Sequence, residues 1–194
     1  MFKKQELYGG AIVTVIPEGF LDASILREVP DTQEVFVNSR EDSEENKFND
    51  GLGTNESVII DLLQAVDEPN DREALSVHIQ EITSMNGSND WKLVRYESPA
   101  PHVQTCIAVE SAYKWGKRDM KETLVLCLAL LRLEKVQTDV VLSVNVPLAD
   151  TTEIQAMSEA VNDSGNIPPR IQAAYTLVKE MANEFKVLDE SLFV

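Results

Sequence analysis

The chain has 194 residues, of which 33 are acidic and 17 are basic, so its formal charge at pH 7 is −16. A chain of this length fits one domain, residues 1–194, whose core folds without disulfides or metals. The negative charge argues against nucleic acid and anionic membranes, while it fits either simple solubility or a basic protein partner steered in by long-range attraction.

Short β-branched runs near the start predict two strands, at residues 11–16 and 33–38. The polar segment between them is too long for a hairpin turn, and a loop of that length in a compact domain is usually functional or disordered. Its apolar side chains are expected to pin it to the body of the protein, which argues against disorder. These side chains are Phe20, Ile25, Leu26 and Val29.

Residues 40–53 are charged, polar and glycine-bearing, and they predict a mobile acidic surface loop. Apolar residues at helical spacing then predict a helix at residues 55–66. A second helix is expected from a cap at Asn70 or Asp71 to its end at Asn86.

The second half of the chain changes to the period of a β-sheet. Strands are predicted at 91–96, 103–113 and 139–146. Residues 124–133 are apolar almost throughout and fit a helix or a central strand, but Thr123, Val125 and Cys127 favour a strand that forms a long hairpin with 139–146. Residues 149–166 predict a second, polar loop, and Pro168 and Pro169 can open a final helix with one apolar face. The sum is an α/β fold: a single-domain sandwich with a six-stranded, largely antiparallel sheet flanked by helices.

No arrangement of residues indicates an active site, a bound metal or a nucleotide. His78 and His102 lie outside any nucleophile signature, and the cysteines and histidines lack the spacing of a zinc site. Gly51 and Gly53 are not followed by the Lys and Ser/Thr of a phosphate-binding loop. We therefore expect no catalytic residue, no metal and no cofactor.

Cys106 and Cys127 lie in apolar stretches, which is typical of buried, reduced thiols in a cytosolic or nuclear protein. The N-terminal residues lack the apolar run of a signal peptide, and no segment approaches the ~18 apolar residues of a membrane span.

One basic cluster stands out in this acidic chain. An aromatic side chain among cations can stack on a ligand or partner, although Gly116 can equally make a simple turn that packs the aromatic ring back on the protein. The cluster consists of Lys114, Trp115, Lys117 and Arg118.

The polar residues of the long N-terminal loop also have local uses. Asp22 can cap a helical turn, and Arg27 can pair with Asp31 or Glu34. The residues alone leave open whether this loop serves a partner or only its own conformation.

The opening sequence LYGGAIVTVIPEGFLDASILREVPDTQEVFVNSR resembles the start of the Ran guanine-nucleotide release factors, the Mog-type nuclear import factors. Further matches follow in the same order and extend the resemblance over nearly the whole chain: TNESVIIDLL, YKWGKRD, LALLRLEKVQTDVVLSVNVPL and VLDESLFV. The resemblance implies a PsbP-like sandwich that binds the small GTPase Ran and promotes loss of its nucleotide without being an enzyme.

The resemblance also implies which residues act. The nucleotide-release loop would use Asp22, Arg27, Asp31 and Glu34. An acidic pair on the helix predicted at 55–66 maps to Asp61 and Gln64, where the glutamine is a departure that removes a charge. Four residues after Ile60, Gln64 would return to one helix face with Asp61 beside it. Lys114, Trp115 and Lys117 are a possible secondary contact.

The expected partner is the basic surface of Ran, together with other nuclear import factors. The chain is expected to be a monomer located in the nucleus, with some in the cytoplasm.

Two alternative functions are a hydrolase that uses Asp31 and Glu34 as paired carboxylates, and a passive PsbP-like scaffold. Glycoside hydrolysis needs sugar-stacking aromatics in a groove, and the loop offers only Phe20 and Phe36.

Overall fold

The computed structural model describes residues 1–88, 90–113, 121–162 and 166–193. Lys114, Trp115, Lys117 and Arg118 lie outside the described residues, so a role for this basic cluster stays a prediction.

The described strands form two antiparallel sheets. The smaller sheet has the order β1-β2-β10, and the larger has the order β3-β4-β5-β9-β8-β7-β6. The strands are β1 Phe2–Leu7, β2 Ile12–Pro17, β3 Phe20–Asp22, β4 Gln33–Asn38, β5 Ser57–Gln64, β6 Trp91–Ala100, β7 Val103–Tyr113, β8 Lys121–Leu133, β9 Thr138–Leu148 and β10 Lys186–Val187.

The α-helices of the described residues are α1 Glu45–Phe48, α2 Asp71–Met85, α3 Thr151–Asn162 and α4 Pro169–Glu184. The cap predicted for α2 is confirmed, because Asn70 Oδ1 accepts from the backbone N–H groups of Arg72 and Glu73. Proline opens α4, as predicted, at a position where its missing N–H costs nothing. No described helix is long and apolar enough to span a bilayer.

The larger sheet carries a hydrophobic core on each face. On one face α4 packs against β8 and β9 and also contacts β2 of the smaller sheet, while on the other face α2 packs against β7. Successive side chains of a strand point to opposite faces, so Val125 and Cys127 of β8 enter the α4 core, and Leu126 and Leu128 enter the α2 core. This explains why β8 reads as an almost continuous apolar run.

A buried ionic network fixes α2 on the sheet. His78 Nε2 lies 2.8 Å from Asp139 Oδ2, and Arg132 Nε donates to Asp139 Oδ1 at 3.2 Å. Asp139 is fully buried, and a buried carboxylate requires such partners because its desolvation is costly.

The segment at 55–66 is not the predicted helix but contains strand β5. Its residues pair in register with β4 and with β9. The spacing of the apolar residues between Val58 and Leu63 fits the apolar face of a helix and also fits a strand that is covered on both faces. The β-branched side chains Val58, Ile59 and Ile60 favour the strand once partners are available on both sides.

The prediction of a polar loop at residues 149–166 is also wrong, because this segment contains helix α3. Asp150 Oδ1 accepts from the backbone N–H groups of Thr152 and Glu153, which is the geometry of a helix cap. Met157 and Ala160 are buried on its inner face. The acidic and small residues around these positions concealed a helix that only packing on the sheet stabilises.

The predicted sandwich is confirmed, but its count of six strands is too low. Besides β5, which was predicted as a helix, the unpredicted strands are β1, β3 and β10. Strands β3 and β10 have three and two residues, and β1 is half charged, so none has a period of its own that is long enough to detect.

The acidic segment at 40–53 is anchored at both ends. Arg40, buried against Phe48, forms a two-point ion pair with Asp50 and also donates to the carbonyl oxygen of Glu18. Leu52 enters the main core. Between these anchors the chain forms the single turn α1, and its mobility stays a prediction.

The two thiols agree with the sequence analysis. Cys106 and Cys127 are both free and buried. Burial raises the pKa of Cys106 to about 12, which keeps it protonated and unreactive at neutral pH.

Glu110 provides a test of the α2 packing. Its side chain is buried and accepts from Asn86 Nδ2 at the end of α2, and burial raises its pKa to about 7 against the opposing effect of that hydrogen bond. A raised carboxyl pKa gives stability that is full below the unfolded value of about 4.5 and is lost as pH rises towards 7.

We expect Glu110→Gln, which keeps an acceptor for Asn86, to match the wild type near pH 4.5. At pH 8 it should be more stable by roughly 1–3 kcal/mol. Chemical denaturation of the two proteins across this pH range measures the difference between their free energies of unfolding. The other titrating groups contribute equally to both proteins, so their effects cancel. A difference that does not vary with pH would contradict the argument.

Candidate functional site

The candidate site is built on the segment 23–32, which joins β3 to β4. We name it the release loop after the role that the family resemblance implies for it. It opens with a tight turn in which Asp22 Oδ1 accepts from Ser24 N at 2.8 Å. The N–H groups of Leu26 and Arg27 both donate to the carbonyl oxygen of Ala23, which is itself buried. The predicted capping role of Asp22 is therefore confirmed.

The other end of the release loop is held by β5. Gln33 N donates to Pro30 O, and Leu62 N donates to Thr32 O, both at 2.9 Å. Gln33 stands opposite Asp61 in the register of β4 and β5. The two segments singled out in the sequence, the loop and residues near 61, therefore lie side by side.

Tyr8 clamps this end of the loop. Its backbone N–H donates to Glu34 Oε1 at 2.6 Å, and its phenol oxygen lies 3.0 Å from the carbonyl oxygens of Thr32 and Ile60. Burial, together with the carboxylates of Glu34 and Asp61, raises the pKa of the Tyr8 phenol far above its usual range. The phenol therefore stays protonated and remains a donor.

The sequence analysis missed Tyr8. The signal that could have identified it is its position before two glycines: Tyr8, Gly9 and Gly10 all have positive φ, 50°, 66° and 92°. A tyrosine rarely adopts this conformation, and here its hydrogen bonds to the loop and to β5 hold it there.

Asp61 lies on the face of the sheet that α2 covers. Its Oδ1 accepts from Gln33 Nε2 at 2.6 Å. Burial raises the pKa of the Asp61 carboxyl, opposed by this hydrogen bond and by nearby His78. A groove of about 520 Å³ runs beside it, between the end of the release loop at Pro30 and Met85 on α2.

Gln64 does not join Asp61, and the expectation of a shared helix face is wrong. Both residues belong to β5, where side chains three positions apart point to opposite faces of the sheet. Asp61 and Leu63 line the groove beside α2, so Gln64 faces away from it. Gln64 is exposed.

The structure divides the four predicted loop residues into two kinds. Asp22 and Glu34 are half-buried, and each uses an oxygen to hold the loop or its end. Arg27 and Asp31 are exposed, and neither forms an ion pair with a described residue. The predicted pairing of Arg27 with Asp31 or Glu34 is therefore not formed.

The apolar residues of this region also separate. Phe20 is buried in the main core and pins the start of the segment as predicted, whereas Val29 is half-buried and its anchoring role stays a prediction. Ile25 and Leu26 are each 66% exposed, so the expectation that they pin the loop is wrong. The site thus combines apolar and acidic side chains on a preformed turn, which suits a protein partner with basic groups.

The chain matches the family model described as Ran-interacting Mog1 protein over residues 5–147. It is 48% identical over 192 residues to the nuclear import protein MOG1 of Saccharomyces cerevisiae, covering 98% of this chain and 84% of the relative. It is 31% identical over 156 residues to the Ran guanine nucleotide release factor of Homo sapiens, covering 74% of this chain and 75% of the relative.

The crystal structure of the Ran-binding protein Mog1p of Saccharomyces cerevisiae has the same fold, with a TM-score of 0.89 and 47% identity. That match covers 100% of this chain and 99% of the other. An alanine variant of Mog1 matches with a TM-score of 0.88 at the same identity. These matches confirm the resemblance and the sandwich deduced from the sequence.

Removing the Tyr8 hydroxyl should loosen the end of the release loop. We expect Tyr8→Phe to lower the free energy of unfolding by about 0.5–1.5 kcal/mol, because the hydroxyl no longer donates to the carbonyl oxygens of Thr32 and Ile60, although Thr32 O keeps its bond from Leu62 N. Trypsin should then cleave faster after the exposed Arg27. Mass spectrometry of a limited digest follows this cut.

Tyr96→Phe is the matched control, since the Tyr96 hydroxyl is bonded to Gln104 on strands β6 and β7, at the other edge of the sheet. Equal cleavage after Arg27 in the two variants would show that Tyr8 does not hold the loop.

Proposed function

The chain belongs to the family of Ran-interacting Mog1 proteins, and we propose that it binds the small GTPase Ran and promotes release of the guanine nucleotide bound to it. The observation that carries this proposal is the family match together with a release loop that is fixed at both ends and presents an exposed carboxylate, Asp31. The names of the relatives support the same partner and the same activity.

The proposed mechanism is displacement without covalent chemistry. A nucleotide pocket holds phosphates through cationic side chains and backbone N–H groups. Carboxylates of the release loop, placed near that pocket, compete with the phosphates for these cationic and N–H groups and for the Mg²⁺ that the phosphates bind. The chain then binds nucleotide-free Ran better than loaded Ran, and by linkage it weakens nucleotide binding by the same factor. A differential affinity of about 3 kcal/mol gives roughly a hundredfold effect.

The contacts in the free protein suggest a division of roles within the loop. Asp22 and Glu34 hold the turn and its return to β4 through their hydrogen bonds to Ser24 N and Tyr8 N. Asp31 and Arg27, which have no ion-pair partner among the described residues, make direct contacts with Ran. Arg27, which pairs with neither Asp31 nor Glu34, thus has its charge available to the partner.

Asp61 belongs to the same surface because Gln33 links it to the base of the release loop. The second oxygen of its partly buried carboxylate can accept a hydrogen bond from a cationic group of Ran. Gln64, on the other face of β5, lies outside this surface. The lost charge at position 64 therefore leaves the loop contact intact.

The names of the relatives also support a role in nuclear protein import. We place the protein in the nucleus, with a part in the cytoplasm, acting as a monomer. Other nuclear import factors are its further partners. This placement follows from the process alone and is tested by imaging a tagged chain.

The hydrolase alternative finds less support in the geometry. Asp31 is exposed, while Glu34 is half-buried and committed to Tyr8 N at 2.6 Å. Paired carboxylates of a glycosidase must flank one bond of a substrate within a cleft. These two side chains have different surroundings and different roles.

Reversing the charge at Asp31 should impair nucleotide release. We expect Asp31→Lys to lower the maximal rate of release by about tenfold or more, on the scale of losing a charged contact at an interface. Ran loaded with a fluorescent GTP analogue, mixed with excess protein, gives the rate directly.

Glu159→Lys is the matched control, since it makes the same charge change at an exposed position of α3, which packs against β6 at the other edge of the sheet. If the two variants release nucleotide at the wild-type rate, Asp31 has no part in the mechanism.

Association with Ran should depend on salt. The net charge of −16 creates an attraction to a basic surface that screening weakens within about 10 Å at 0.1 M salt. We expect the association rate constant to fall as NaCl rises from 50 to 300 mM, measured by stopped-flow fluorescence. An association rate constant that does not change with salt would show that electrostatic steering plays no part in binding.

A further inference from the structure

Exposed apolar side chains concentrate at the turn that opens the release loop. The described residues include seven large apolar side chains that are exposed, and three of them lie between positions 21 and 26: Leu21, Ile25 and Leu26. Leu21 is 37% exposed, and the other two are 66% exposed. Single exposed apolar residues are ordinary on a protein surface, whereas a local cluster marks a contact site.

The turn that carries Ile25 and Leu26 is preformed. Asp22 caps it through Ser24 N, Ala23 is buried beneath it, and two backbone N–H groups converge on the Ala23 carbonyl oxygen at 2.9 and 3.0 Å. The exposure of the two side chains is therefore a property of a folded turn. A preformed turn loses little conformational entropy when it binds.

The surroundings of the apolar pair indicate the chemistry of the pocket that would receive it. Exposed charged residues follow directly along the loop: Arg27, Glu28 and Asp31. A central apolar anchor with a charged rim is the usual arrangement of an interface in which a few residues supply most of the affinity. Because the chain as a whole is strongly acidic, the complementary pocket is apolar inside and basic at its edge.

We infer that Ile25 and Leu26 form the apolar anchor by which this chain holds Ran, seated in a Ran pocket of that kind. This inference rests on the proposed function, since Ran is the partner it names. The anchor and the carboxylates have separate tasks. The apolar pair sets how long the complex lasts, while the acidic groups steer association and displace the nucleotide.

The separation of tasks gives distinct kinetic signatures. Loss of apolar contact at the centre of an interface raises the dissociation rate, and changes in exposed charge alter the association rate and its salt dependence. Truncation of the anchor should therefore raise the concentration of protein needed for half-maximal nucleotide release. At saturation the release rate should stay that of the wild type, because the carboxylates are unchanged.

The test uses the full chain carrying Ile25→Ala and Leu26→Ala together, with Ran loaded with a fluorescent GTP analogue. We expect the dissociation rate constant and the half-maximal concentration to rise about tenfold or more, the scale of losing central anchor residues. The association rate constant, its salt dependence and the maximal release rate should match the wild type. Asp31→Lys should instead lower the association rate constant and the maximal release rate and leave the dissociation rate constant unchanged.

Two further variants complete the design. Leu188→Ala removes an apolar side chain of similar exposure, 61%, far along the chain, and should behave as the wild type. Ile25→Val with Leu26→Met keeps most of the apolar area and should restore tight binding. Thermal unfolding of each chain shows whether the fold persists, and the single alanine variants carry the test if the double variant is destabilised.

The outcomes separate the two proposals. If the wild type binds Ran and the alanine pair dissociates no faster than Leu188→Ala, the anchor is refuted and the proposed function stands. If the alanine pair lowers the maximal release rate and leaves the dissociation rate constant unchanged, Ile25 and Leu26 act on nucleotide release and not as an anchor. If the wild type does not bind Ran, both proposals fail.

Discussion

The site depends on the hydrogen bonds that Tyr8 makes to the end of the release loop. One residue joins three separate segments, because its N–H reaches Glu34 while its hydroxyl lies within 3.0 Å of carbonyl oxygens of Thr32 and Ile60. The price is a non-glycine residue at a φ of 50°. Hydrogen bonds to a charged group contribute about 1.5–3 kcal/mol, which is enough to offset the strain and to give the loop one conformation.

A loop fixed in this way separates carboxylates that hold the structure from carboxylates that meet a partner. Asp22 and Glu34 cap or clamp backbone N–H groups, whereas Asp31 is exposed and forms no ion pair with a described residue. An acidic residue whose hydrogen bonds are satisfied internally gains little from a partner. Asp31 has no such internal partner among the described residues, so its carboxylate keeps its full attraction for a basic group of a partner.

The same fold keeps apolar and charged contributions apart. Exposed charges act over distance, attract a basic surface and are screened by salt. Ile25 and Leu26 act only on contact, and their contribution scales with the apolar area removed from water, roughly 25 cal/mol per Å². Burial of Ala23 beneath them and the cap by Asp22 supply the rigid support that such a small patch requires.

The sequence by itself determined α2, α4 and β9, whose periods are clear, and it favoured a strand for the apolar run of β8 because of its β-branched residues and its close return into β9. It also supplied the family resemblance and the location of the loop. It failed at residues 55–66, because apolar residues between Val58 and Leu63 fit both a helix and a strand covered on two faces. Only pairing with β4 and β9 decided between them. That pairing also placed Asp61 beside the loop and turned Gln64 away. The packing of the smaller sheet against the larger one brings Tyr8 to Thr32 and Ile60, which are 24 and 52 positions distant. Contacts of such separation arise from the packing of the whole sandwich, which local sequence patterns do not encode.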